Sequence, residues 1–165
     1  MPATNLYDLY KFEDVIEQAM AVLLTANSIT NAIQRGTASA ATPRVEIKLV
    51  VGAQDARYYM RGTTPNYYGT PKSWIGNLTF TIITNRNLNS STHTTYRSKI
   101  RMLMHNRFST TYWSSAFLST NLPYHEIVDH EETGSTEEVQ SEDNLDISSI
   151  TFAIKFAIKD DAWPT

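Results

Sequence analysis

The 165-residue chain contains no cysteine. That excludes disulfides, a thiol nucleophile and thiolate-bound metal. No apolar run reaches 18 residues, so no membrane-spanning helix is expected. The first residues, Met-Pro-Ala-Thr-Asn-Leu-Tyr-Asp, lack the basic-then-apolar order of a secretion signal, which fits synthesis in the cytoplasm. A Gly-rich phosphate loop, a G-x-S-x-G elbow and an H-E-x-x-H pair are all missing. Neither catalysis, nor a cofactor, nor a metal is therefore expected. His125 and His130 lie five apart, a spacing that puts them on opposite faces of a regular strand and prevents joint chelation. The acidic pairs Glu131-Glu132, Glu137-Glu138 and Glu142-Asp143 lack the apolar pocket that a glycosidase carboxylate needs, and read as a solvated loop.

Basic residues are also scarce, but only in the last third. Residues 108–165 hold 2 basic and 11 acidic residues, a charge of −9. Residues 1–107 hold 12 basic and 6 acidic residues, a charge of +6, and the two parts sum to the chain's −3. From Glu126 to Asp146 there are nine acidic residues and no Lys or Arg. Opposite patches on one chain steer identical copies together. The basic residues are spread over the first part rather than clustered, so a small DNA-binding protein is the lesser reading.

An apolar content of 41% and an aromatic content of 11% describe one globular domain, residues 1–165. Phe12, Val15, Ile16, Ala19, Met20, Leu23 and Leu24 form one apolar stripe and predict a helix over 11–27, with Asp8 as its N-cap. Val45, Ile47, Leu49 and Val51 alternate with charged residues, as a half-buried strand does. Leu78, Phe80 and Ile82 predict a second strand. A second helix is predicted over 93–106, capped by Thr92 or Thr94 and burying Tyr96, Ile100, Leu103 and Met104. Tyr112, Trp113, Phe117 and Leu118 suit a short helix, and Tyr124 to His130 is strand-like. The last strand alternates without a break through Ile150, Phe152, Ile154, Phe156 and Ile158. The segment 57–74 has no helical period and carries Tyr58, Tyr59, Tyr67 and Tyr68, which form either a contact loop or a cover for the sheet. The expected fold is α+β: an antiparallel sheet of about four strands, two main helices on one face, and a protruding acidic hairpin loop at 131–143.

Several of these features combine into a pattern. An amphipathic helix opens the chain, and a central helix with Arg97, Lys99 and Arg101 follows a strand and an Asn-rich turn. The end reads Leu122-Pro-Tyr-His-Glu-Ile, an acidic loop, Asp143-Asn-Leu-Asp-Ile-Ser-Ser-Ile-Thr-Phe-Ala-Ile-Lys-Phe-Ala-Ile, then Asp161-Ala-Trp-Pro. Over residues 10–163 this resembles the tail terminator and tail completion proteins of long-tailed bacteriophages. The resemblance implies a structural virion protein at the head-tail neck. It implies a homo-oligomer, a hexameric ring that caps the tail tube on one side and joins the head connector on the other. DNA passes through such a ring without specific binding, and no membrane is involved. A tail-tube or other ring-forming virion subunit is the nearest alternative, and an enzyme with an unrecognised site a more distant one. In the ring, the acidic arm with Glu131, Glu132, Glu137 and Glu138 is expected to lie on a neighbour's Arg97, Arg101 and Arg107.

Overall fold

The longest ladder of the protein pairs two strands far apart in sequence. In the computed structural model, which describes residues 11–34, 41–54, 73–88, 90–105, 112–113, 115–136, 139–140 and 143–158, strand β3 (Ser73–Asn85) runs antiparallel to strand β6 (Leu145–Ile158). Their register runs from Ser73 opposite Ala157 to Asn85 opposite Leu145. Strand β2 (Arg44–Gln54) flanks β3 antiparallel, and strand β4 (His125–Ser135) flanks β6 antiparallel. Two short strands complete the sheet. Strand β1 (Ala32–Gln34) runs parallel to β2, and β5 (Val139–Gln140) pairs with Ile147 and Asp146 of β6. The order is β1-β2-β3-β6-β4, with β5 also on β6. Among the described residues the sheet is thus mixed and has six strands rather than about four antiparallel ones. The extra strands have three and two residues, too short to show an apolar period.

Alternation decides which face is buried. Val45, Ile47 and Leu49 of β2 line up with Leu78, Phe80 and Ile82 of β3 and with Ile150, Phe152, Ile154 and Phe156 of β6. All of these are buried, and the helices cover them. Helix α1 (Phe12–Ala26) contributes Phe12, Ile16, Ala19, Met20, Leu23 and Leu24. Helix α2 (Ser90–His105) contributes Tyr96, Ile100, Leu103 and Met104, and helix α3 (Ala116–Asn121) contributes Leu118. Gly76 of β3 belongs to the same face, where a Cβ would come within 2.9 Å of Leu49 Cδ1. The expectation of one layer of helices on one sheet face holds.

The caps differ from those expected. Lys11, not Asp8, occupies the N-cap position of α1, and no side chain caps it there; Asp8 lies outside the described residues. Thr92 and Thr94 lie inside α2, which begins at Ser90. The C-terminus of α1 closes by backbone bonds. Ser28 N–H donates to Thr25 O, and Ile29 N–H donates to Leu24 O. That Schellman arrangement needs a left-handed residue, and Ser28 takes it at φ 62°.

Helix α1 also finishes the sheet. Strand β1 covers β2 only from Val45 to Ile47. Beyond it, Leu49 N–H donates to Glu17 Oε1 (2.8 Å) and Val51 N–H donates to Glu13 Oε1 (2.7 Å). Glu13 and Glu17 stand four apart on α1, so both reach the same strand edge. Two carboxylates thereby take the place of a missing strand.

Among the described residues, the opposite sheet face bears no helix. Its rows include Val50-Asn77-Ala153-Glu131 and Lys48-Thr79-Thr151, built from small, hydroxyl-bearing and charged side chains. Thr79 and Thr151 hydroxyls meet at 3.1 Å.

Candidate functional site

The edge strand β4 is where the charge of the last third is placed. Its pairing with β6 is interrupted between Ile127 and Asp129, and again between Glu132 and Gly134. Each interruption inserts one extra residue, Val128 and Thr133, and such a bulge resets the alternation. The first bulge overturns the strand-parity expectation for the histidines. His125 sits opposite Ile158 and His130 opposite Ile154, so both face the helices. They still do not form a metal site: His125 stacks on Phe12 at 5.5 Å, while His130 Nε2–H donates to Met104 O at 2.6 Å. Trp113 Nε1–H donates to His130 Nδ1 at 3.3 Å, which fixes the proton on Nε2.

Glu132 follows on the same face and is held by α2. Its Oε1 lies 2.8 Å from Arg101 Nη2 and 3.1 Å from Arg101 Nε, while Oε2 lies 2.8 Å from His105 Nε2. The Arg101 hydrogen bonds hold the Glu132 carboxyl below its ordinary range; partial burial opposes them and the His105 bond adds to them. One turn earlier on α2, Arg97 Nη1–H donates to Thr136 O at 2.9 Å. Thr136 in turn bonds Ser149 through both backbone and hydroxyl.

These contacts revise the picture of a protruding arm. Residues 131–135 are strand, paired with β6 from Ala153 to Ile150, and 139–140 are strand as well. The segment is largely exposed yet stays paired to the sheet, and its acidic residues take different sides. Glu132 turns to Arg101, whereas Glu126, Asp129 and Glu131 emerge on the bare face, opposite Ala157, Lys155 and Ala153. Arg101 and Glu132 thus meet within one chain. Arg107, Glu137, Glu138, Tyr58, Tyr59, Tyr67 and Tyr68 lie outside the described residues. Sequence reasoning missed His105, His130, Trp113 and Thr136 in this seam. The pairing that brings them together depends on a bulge and on a contact 31 positions apart.

Two other places have polar chemistry. His93 of α2 links Thr84 Oγ1 to Ser148 Oγ, at 2.8 Å on each ring nitrogen, but all three are buried and beyond reach of a substrate. A cavity of about 250 Å³ at the end of the sheet is lined by Phe12, Glu13, Val51, Trp74, Phe156 and Ile158. Among the described residues no group of three or more His, Asp or Glu side chains is placed to hold a metal ion.

No protein-family model matches the chain, and no curated protein matches it.

Proposed function

We propose that this chain is a structural subunit that assembles with copies of itself into a ring, the ring capping a phage tail tube and joining it to the head. The observation that carries this reading is the bare sheet face. Among the described residues, the helices cover one sheet face only, and the other is edged by the acidic row Glu126, Asp129 and Glu131. Such a face suits a subunit whose surface is completed by neighbours rather than by a substrate. The two long helices, of 15 and 16 residues, support a terminator over a mostly β tube subunit. In this reading six copies close the ring, one side meets the tail-tube protein, the other meets the head connector, and DNA crosses the centre without sequence-specific binding.

The test is to add the purified chain to polymerising tail-tube protein of the same phage. Tube growth should stop, and gold-labelled chain should mark one end. Label spread along the tube would instead identify a tube subunit.

A further inference from the structure

The partners of His130 have fixed roles. An indole N–H only donates, and a backbone carbonyl only accepts. Trp113 Nε1–H donates to His130 Nδ1 at 3.3 Å, and His130 Nε2–H donates to Met104 O at 2.6 Å. His93 differs, because its partners Thr84 and Ser148 are hydroxyls, which serve in either role and tolerate either state of the ring. Neutral His130, with its proton on Nε2, is the form that makes both of its bonds. A proton added at Nδ1 sets two donors against each other and removes the Trp113 bond. The Met104 bond then becomes charge-assisted and stronger. The two bonds also lead to different elements. Met104 belongs to α2, whereas the neighbour of Trp113, Tyr112, donates its hydroxyl to Ala19 O of α1 at 2.9 Å. Residues 112–113 thus tie α1 to β4 through the His130 ring, which the indole meets edge-on with centroids 6.0 Å apart.

We propose that His130 is a proton-operated switch: neutral, it holds Trp113 against β4, and charged, it releases Trp113 while staying on α2. The switch works within one chain and is independent of the ring reading. The charged and titratable groups around it come from four places among the described residues. On β4, Asp129 Oδ1 accepts the backbone N–H of His130 at 2.9 Å, Glu131 lies on the bare face, and Glu132 shares the side of His130. From α2, Arg101 and His105 both reach Glu132. From β6, Lys155 lies 3.9 Å from Asp129. From 112–113, the Tyr112 hydroxyl is pushed above its ordinary value by burial and stays neutral while a histidine titrates. Arg101, His105 and Lys155 each face a carboxylate, so what a charge on His130 changes most directly is the donor from Trp113. Its release leaves residues 112–113 on α1 and frees them from the sheet edge.

Nuclear magnetic resonance of the full-length chain, from about pH 8 to about pH 5, tests the switch. The chain has three tryptophans, Trp74, Trp113 and Trp163, so Trp113→Phe identifies the Trp113 indole N–H signal and His130→Gln the His130 ring protons. In wild type the Trp113 indole signal should move toward that of an unbonded indole, with the same midpoint as the His130 ring. A Trp113 signal that stays fixed while His130 titrates would overturn the proposal. So would a His130 ring that stays uncharged until the chain unfolds. Glutamine at 130 offers an acceptor and a donor side by side and does not titrate, so His130→Gln should hold Trp113 at every pH. A Trp113 signal that still moves in that variant would assign the change to another group. The coupling is reciprocal: Trp113→Phe removes a bond to the neutral ring and should raise the proton affinity of His130 about two- to threefold. An unchanged or lowered affinity would show that the indole does not sense the proton. Should His130→Gln fail to fold, the wild-type titration and Trp113→Phe decide the matter on their own.

Discussion

Glu132 and Arg101 form a forked ion pair across the seam between strand β4 and helix α2, with contacts of 2.8 and 3.1 Å. Because both groups keep some contact with water, the pair is stronger than an open surface bridge and weaker than a buried one. Glu132→Ala should cost about 1–2 kcal/mol of stability. The pH dependence follows from the direction of the shift. The Glu132 carboxyl titrates lower in the folded chain than its ordinary 4.5. Its contribution is therefore fully present above about 4.5, and is lost as pH falls through the lower folded value. Denaturant melts of wild type and Glu132→Gln should differ at pH 7 and converge toward pH 3. An equal gap at both values would show that the carboxylate charge is not the stabilising element.

Glu17 is a buried carboxylate whose bond to the Leu49 N–H extends the ladder where β1 stops. Glu17→Ala removes that acceptor from a buried amide and should destabilise by about 1–3 kcal/mol. Glu17→Gln keeps a carbonyl oxygen within reach and should lose less. Amide exchange reports the effect locally: Leu49 should lose protection in the alanine variant before Thr79 or Phe80 does. Unchanged exchange at Leu49 would mean that the helix carboxylate does not protect that edge.

Much of this fold is legible in the sequence wherever one period runs long enough. The stripe from Phe12 to Leu24 and the alternation from Ile150 to Ile158 each repeat over several turns or pleats, and both are found as read. What fails is extrapolation across a single inserted residue. Counting from His125 puts His130 on the outer face, but the extra Val128 returns it to the helices. The same reset sends Glu132 to Arg101 and leaves Glu131 outside. Nothing local to Glu13 and Glu17 reveals that a strand edge lies beside them. The seam was thus half visible: the right charges were singled out, but their cis pairing depends on long-range register.

Ser28 offers a test in the opposite direction. Its backbone is left-handed at φ 62°, where a Cβ is unfavourable, and the Schellman bonds at the end of α1 require that conformation. Ser28→Gly should stabilise the protein by about 0.5–1 kcal/mol, since glycine adopts this region without strain but brings some unfolded-state entropy. Ser28→Val should destabilise by at least as much. Thermal melts that rank valine above glycine would contradict this account of the turn.

Phe152 joins the core to the seam. Its side chain is fully buried, edge-on to Phe80 with ring centroids 6.0 Å apart, and edge-on to His105 at 5.5 Å. It also sits directly opposite Glu132 in the β4–β6 register. Removing the ring leaves a cavity beneath both the helices and the Glu132–Arg101 ion pair. Phe152→Ala should cost about 3–5 kcal/mol, the range for a buried aromatic truncated in a packed core. Phe152→Leu should recover most of the lost volume and hence much of the stability. The ion pair should respond as well: with no ring behind it, His105 is less constrained, and Glu132→Ala should cost less in the Phe152→Ala background than in wild type. A double-mutant cycle measures that coupling, and strict additivity would show that the core and the ion pair act independently.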